Sequence, residues 1–506
     1  MGFATMAQDI VDLLIIGGGI NGAGIARDAA GRGLSVVLCE QNDLGSATSS
    51  ASSKLIHGGL RYLEHGAFRL VTEALTEREV LLDAAPHLIS PIQFVLPYVK
   101  ELRPRWMLRL GLMLYDHLGG RHRFPGSRAV DLRGTVYGAA LKAEFEKGFV
   151  YSDCRVDDAR LVVANARSAH ELGAQILTHT RCVFAKRSGG WWEAVLERGH
   201  EKIEVKARAV VNAAGPWARA LFADVIQQPS SHKIRLVKGS HIVVPRLYKG
   251  NHAYLLQNHD RRMVLMIPFQ EQFTLIGTTD IPYQSDPASV AISDPEVRYL
   301  CDAVNRYLTY RITPAEAVWR YSGVRALYDD GHVDPSRITR DYKLIVDTDN
   351  QGKLPLLTIF GGKITTFRKL SEQALDNLFP WFLQMKPAWT SGAFLPGGDI
   401  ADLERFSADL TGAYPRLPRT LLRALALRHG SLAREVLTEV REESDLGQNF
   451  GAGLYQREVD YFIEKEWAKN AEDILWRRSK TGLYLNRAGK EALERYVFNR
   501  GSAAPH

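Results

Sequence analysis

Residues 12–40 read DLLIIGGGINGAGIARDAAGRGLSVVLCE, and the positions in it with a chemical purpose are Gly17, Gly19, Gly22 and Glu40. In a Gly-x-Gly-x-x-Gly turn the first glycine permits the sharp bend and the second lets backbone approach a diphosphate. The third lets the following helix lie close to its strand, with the diphosphate at the helix N-terminus. Glu40 closes the stretch with a carboxylate able to accept ribose hydroxyls; it would repel a 2′-phosphate, which disfavours NADP. On this stretch alone FAD and NAD both remain open.

The chemistry requires a strand before the turn and a small-faced helix after it. IVDLLII supplies an apolar, β-branched run suited to a strand buried on both faces. Ala26 and Ala30, one turn apart, keep the helix face small, and the run ending at Cys39 supplies a second strand. With strand, turn, helix and carboxylate in register, the motif sits in the context that gives it meaning.

Three later stretches bear on the choice of nucleotide. GSATSSASSKLIHGGLRYLEHG (residues 45–66) has the composition of a linker, yet it lies inside a domain and carries Lys54, His57, Arg61 and Tyr62. RAVVNAAGPWARAL (208–221) reads as a strand entering a small-residue turn that can touch a cofactor with its main chain. FGGKITTFRKLSEQAL (360–375) places a Gly-Gly loop and Thr365 or Thr366 near the start of an amphipathic helix, whose positive end suits an anionic edge of reduced flavin. Contact from several separated stretches favours FAD, held in a discontinuous domain.

Bulk properties set the frame. A chain of 506 residues exceeds what one core supports, so two or three domains are expected. The net charge of +7 suits an anionic substrate or an acidic membrane surface. With no block of five basic residues and no zinc-finger spacing, a nucleic-acid partner is the weakest reading. Cys39, Cys154, Cys182 and Cys301 are far apart and form no CxxC, which predicts buried, reduced thiols of an intracellular protein and no metal site. MGFATMAQ lacks the basic and apolar regions of a signal peptide, and no run of ~18 apolar residues suggests a spanning helix.

Taken together, GGGINGAGIARDAAGRGLSVVLCE, ATSSASSKLIHGGLRYLEHG, SDCRVDDARLVVANA, NAAGPW, KGSHIVVP, IGTTD, YSGVR, ITRDY and FGGKITTFRKLSE resemble the FAD-dependent, respiratory glycerol-3-phosphate dehydrogenases. The likeness runs in order over at least three-quarters of the chain. It implies oxidation of sn-glycerol 3-phosphate to dihydroxyacetone phosphate, with quinone as electron acceptor. It also implies peripheral attachment to the cytoplasmic face of the inner membrane. Oxygen as acceptor, a non-enzymatic flavin-binding docking protein and a homodimer are left open.

The resemblance points to Arg61, Arg340 and Lys363 as phosphate anchors, with Tyr62 adding a hydroxyl. Arg325 is expected beside the reacting oxygen, and His241 as general base or as a structural histidine. For a noncovalent FAD it implies Gly17, Gly19, Gly22, Glu40, Thr48, Ser49, Ser53, Lys54, Leu55, His57, Gly59, Ala214, Gly215, Gly362 and Thr365, with Val183 near the adenine.

The expected fold is α/β: a discontinuous Rossmann-like FAD domain of the glucose-oxidase or glutathione-reductase type, a mixed-sheet substrate domain and a helical C-terminal domain. The segments are 8–80, 150–230 and 340–385 for the first; 81–149 and 231–339 for the second; and 386–506 for the third. In RPRWMLRLGLMLYDHLGGRHRF (103–124), Trp106, Met107, Leu110, Met113 and Leu114 share a helical face flanked by Arg103, Arg105 and Arg109. An interfacial helix on anionic lipid and a buried helix both fit, because Leu108 and Leu112 make the other side apolar too.

Overall fold

The apolar run after Ile10 forms the strand Val11–Ile16, and the glycine turn leads into the helix Ile20–Gly31 and the strand Val36–Cys39. The computed structural model describes residues 10–119, 123–227, 233–260, 262–329 and 341–503. Within them the first strand lies parallel to Val36–Cys39 on one side and to Glu201–Asn212 on the other. Leu356–Phe360 and Gln175–Leu177 extend the parallel sheet outward, and Lys343–Asp347 adds an antiparallel edge. The sheet turns its strand order at Val11–Ile16, so a crevice opens beyond the carboxyl ends of its strands, where open α/β sheets bind ligands.

Helices cover this sheet. Ile20–Gly31 packs between Asp158–Glu171 and Phe367–Leu378, and its alanines Ala23, Ala26, Ala29 and Ala30 are buried in that layer. The last residue of this helix, Gly31, meets the indole of Trp389, so even its far end is closely packed.

A second, mixed sheet stands over the crevice. Its long strands Ile234–Pro245 and Trp319–Tyr328 pair antiparallel, with His241 opposite Tyr321 and Val237 opposite Arg325. Phe273–Gly277 flanks the other side of Ile234–Pro245, and Ile89–Pro97 and Lys147–Val156 complete the far half. The α/β class with a mixed second sheet thus agrees with the expectation. Beyond residue 400, helices Leu403–Ala413, Arg419–His429, Gln456–Glu466 and Arg487–Ala503 enclose a core of their own around Leu422, Leu425, Val459 and Phe462.

The helix Arg105–Leu118 is buried along one face and exposed along the other. Leu108, Leu112 and Tyr115 are buried, whereas Trp106 is 69% exposed and Leu110 and Met113 are 44% and 45% exposed. Among the described residues no helix is long and apolar enough to cross a membrane, and all four cysteines are buried and free.

Buried histidines give the fold a pH signature. Burial, aided by Arg160 and His429, pushes His87 down to about 3. Burial with Lys54 and Arg325 brings His241 to about 3, and burial with Arg246 brings His252 to about 4. Below pH ~6.5 the unfolded chain binds protons that the native chain does not, so stability must fall as pH drops. Thermal unfolding followed from pH 7 to pH 5 should show a declining midpoint, roughly 1.4 kcal/mol per pH unit for each fully neutral histidine. A midpoint that is flat or rises toward pH 5 would contradict this account.

Candidate active site

The crevice is a cleft of about 400 Å³, a size ordinary for small-molecule sites. Its floor is the glycine turn. Gly17 has φ +114°, and a Cβ there would stand 2.5 Å from the Ala213 carbonyl oxygen of the neighbouring strand. A Cβ on Gly22 would stand 1.9 Å from the Gly17 carbonyl oxygen, so the helix can sit on its strand only with glycine there. The helix therefore begins at the cleft with Gly19 as its N-cap and no capping side chain. That exposed N-terminus suits a diphosphate.

Glu40 lines the cleft, but its carboxylate also organises the turns around it. Oε2 accepts from the Gly18 N–H at 2.7 Å and Oε1 from the Asn42 N–H at 2.8 Å. Each oxygen keeps a second lone pair for a ribose hydroxyl.

The separated stretches are stitched to one another as well as to the cleft. Ser49 Oγ accepts from the Ile20 N–H at 3.0 Å, and the Thr48 hydroxyl donates to the Val324 carbonyl at 2.6 Å. Asn21 Nδ2 donates to the Gly361 carbonyl at 3.2 Å, and the His57 N–H donates to Thr365 Oγ1 at 3.2 Å. Gly17, Gly19, Glu40, Thr48, Ser49, Ser53, Leu55, His57, Ala214, Gly215, Gly362 and Thr365 all line the one cleft. This is the donor set an extended dinucleotide requires: a helix N-terminus, a ribose carboxylate, and glycine-rich backbone from three distant segments. The residues fit FAD.

Above the floor stand reactive side chains: His241 and Arg325 come from the second sheet, Tyr62 from the 3₁₀ turn Leu60–His65, and Lys363 from the loop after the first-sheet strand Leu356–Phe360. His241, Arg325, Tyr62 and Lys363 line the same cleft. Lys363 Nζ lies 3.7 Å from the centre of the Tyr62 ring. Arg325 Nη2 is held 2.9 Å from Asp280. The His241 ring stacks on Tyr321 at 4.9 Å and leans over Gly277, where a Cβ would lie 2.0 Å from its Cδ2. His241 Nε2 is 2.9 Å from Ser53 Oγ. Only 3% exposed, the ring stays neutral well below its ordinary range.

Five expected contacts lie elsewhere. Lys54 does not reach the cleft: with φ +56° it turns inward, and its ammonium donates to Asp158 at 2.7 Å and to the Ser50 carbonyl at 2.9 Å. Gly59 lies behind the wall, where a Cβ would strike the Tyr62 ring at 2.3 Å, so it seats Tyr62 instead of touching cofactor. Gly22 acts through helix packing alone. Arg61, in the 3₁₀ turn Leu60–His65, is half-buried and is not a lining residue. Val183 is the extra residue of a β-bulge between Cys182 and Phe184, and it is Thr180, Arg181 and Cys182 that line the cleft. Arg340 lies outside the described residues.

Sequence reasoning passed over Asn21, Gly361, Tyr321 and Asp280. Asn21 and Gly361 stood inside quoted glycine motifs, Tyr321 in YSGVR and Asp280 in IGTTD; each signal was present without a role attached.

Comparison with known proteins agrees with this geometry. Residues 12–368 match the family model of FAD-dependent oxidoreductases, and residues 388–498 match the C-terminal domain of alpha-glycerophosphate oxidase. The chain is 54% identical to a glycerol-3-phosphate dehydrogenase of Pseudomonas aeruginosa, covering 97% of this chain and 95% of that one. It is 49% identical to a D-erythritol 1-phosphate dehydrogenase of Brucella abortus, covering 97% and 99%. Among solved structures, a glycerol-3-phosphate dehydrogenase from Bacillus halodurans complexed with FAD superimposes with a TM-score of 0.80 at 27% identity, covering 99% of this chain and 92% of that one. A dinucleotide cleft stitched from distant segments, a matching family model over most of the chain and close relatives along its whole length have one explanation: the chain belongs to the FAD-dependent oxidoreductase family and is an enzyme with FAD as its cofactor.

Proposed function

We propose that this enzyme oxidises sn-glycerol 3-phosphate to dihydroxyacetone phosphate and passes the electrons to a membrane quinone. The observation that carries the reading is the meeting of Lys363, Arg325, Tyr62 and His241 on the cleft that holds the cofactor. Two cations and a phenol suit a phosphorylated alcohol, whereas an amino-acid substrate needs one carboxylate anchor. The names of the two bacterial relatives support a polyol phosphate.

In this reading Lys363 and Tyr62 grip the phosphate, with Arg340 as a further anchor. Arg325, oriented by Asp280, faces the C2 oxygen and stabilises the negative charge that develops as its proton leaves. The Ser53 hydroxyl, 2.9 Å from His241 Nε2, relays that proton to the imidazole. Bound, FAD supplies the acceptor for the hydride that leaves C2. The low proton affinity of His241 comes from burial, then from Lys54 and Arg325. A dianionic substrate offsets those charges and makes the ring a better base when one is needed.

Attachment to an anionic membrane surface, at the cytoplasmic face, is supported by the uncovered face of the helix Arg105–Leu118. Trp106, Met107, Leu110 and Met113 are exposed there, with Arg105 and Arg109 beside them. Aromatic and apolar groups flanked by arginine suit the headgroup boundary of anionic lipid.

Steady-state turnover with a quinone analogue and with oxygen tests substrate and acceptor together. Glycerol 3-phosphate with the quinone analogue should give the highest kcat/KM; faster turnover of erythritol 1-phosphate would move the reading to longer polyol phosphates, and faster turnover with oxygen would make the enzyme an oxidase. In the same assay His241→Asn should lower kcat about 10²–10⁴-fold with little change in KM. Lys363→Met should act mainly by raising KM. An undiminished kcat in His241→Asn would leave the ring a purely structural stacking partner.

Replacing Trp106, Leu110 and Met113 together by glutamate should abolish co-sedimentation with anionic vesicles while dye-linked activity persists. Unchanged vesicle binding would overturn the docking assignment.

A further inference from the structure

The segment WRRSK, residues 476–480, belongs to the C-terminal helical region, yet its side chains reach the back of both walls of the cleft. Arg478 is fully buried and grips Asp43 with two parallel bonds, Nη1 to Oδ2 at 2.7 Å and Nη2 to Oδ1 at 2.8 Å. Arg477 Nε donates to the same Asp43 carboxylate. Asp43, itself 1% exposed, lies three residues after Glu40 in a loop whose Glu40, Gln41, Asn42 and Gly45 line the cleft. The Gly45 N–H donates to the Gly18 carbonyl at 3.0 Å, which ties this loop to the glycine turn.

Two further contacts follow in the same segment. Lys480 donates to Asp157 at 3.0 Å, next to the Asp158 that holds Lys54. Trp476 stacks on Trp319 at 4.7 Å, and Trp319 leans on Tyr321, the residue stacked on His241. None of residues 476–480 lines the cleft.

A buried ion pair is a poor device for stability alone, because well-packed apolar side chains at the same place serve as well or better. A forked guanidinium, however, fixes a carboxylate in direction as well as position. We infer that Arg478 is a positioning residue for the cofactor: through Asp43 it holds the loop of residues 40–45 in the shape that binds FAD, which makes the C-terminal domain part of the FAD site. The inference rests on FAD and is independent of which polyol phosphate is oxidised.

The test is FAD affinity, read by flavin fluorescence as the nucleotide is titrated into deflavinated full-length protein, alongside the thermal midpoint of the same nucleotide-free protein. Arg478→Met should raise the FAD Kd about tenfold or more, and Arg478→Lys should recover only part of the loss because it restores charge without the fork. With FAD saturating, the substrate KM should match wild type. Leu425→Ala, in the core of the C-terminal helices and away from Asp43, provides the comparison for simple destabilisation. It should lower the midpoint while leaving the FAD Kd near wild type. Should Arg478→Met fail to fold, Arg477→Met removes one donor and keeps the Arg478 fork, and should weaken FAD about threefold or more. An unchanged Kd in whichever arginine variant folds, or an equal loss of FAD affinity in Leu425→Ala, would overturn the inference.

Discussion

The structure depends on one close approach. The helix Ile20–Gly31 can stand on the strand Val11–Ile16 only because Gly22 has no side chain to strike the Gly17 carbonyl, and Gly17 has none to strike Ala213. That contact aims a helix N-terminus into the crevice at the point where the sheet changes strand order. Every other part of the cleft is arranged around it: Glu40 fastens the turn, Ser49 ties in the hydroxyl-rich loop, and Asn21 ties in the Gly361 loop. Without the approach, the distant stretches would have no common centre on which to converge.

On that floor the second sheet builds a wall that carries His241 and Arg325. His241 is placed by three constraints that act together: a stacked tyrosine, a glycine that makes room, and a serine hydroxyl at Nε2. The same burial that orients the ring lowers its proton affinity. Lys54 shows a cation serving position instead of binding. Its pairing with Asp158 holds the loop that carries Ser53, and from there its charge also lowers the proton affinity of His241.

Much of this was legible from residue type and spacing, and the parts that were not share a cause. The glycine turn, Glu40 and the GGKITT loop encode backbone shape directly, so the sequence shows where they must lie. Side-chain direction is different. A left-handed backbone at Lys54, a bulge at Val183 and the winding of a 3₁₀ turn at Arg61 each rotate a residue off the line that its neighbours suggest. Long-range partners were equally hidden: nothing in WRRSK points to Asp43 and Trp319, which the fold brings against it. The helix Arg105–Leu118 looked ambiguous because it is apolar on two faces, and the structure uses them differently.

The central claim is that the cleft selects its alcohol by gripping a phosphate beside the cofactor. It is tested most directly by mixing the FAD-loaded enzyme with substrate in the absence of any acceptor and following the visible absorbance of the oxidised flavin. The account predicts prompt bleaching by glycerol 3-phosphate and none by glycerol at the same concentration. Equal bleaching by both alcohols, or none by the phosphate ester, would contradict it.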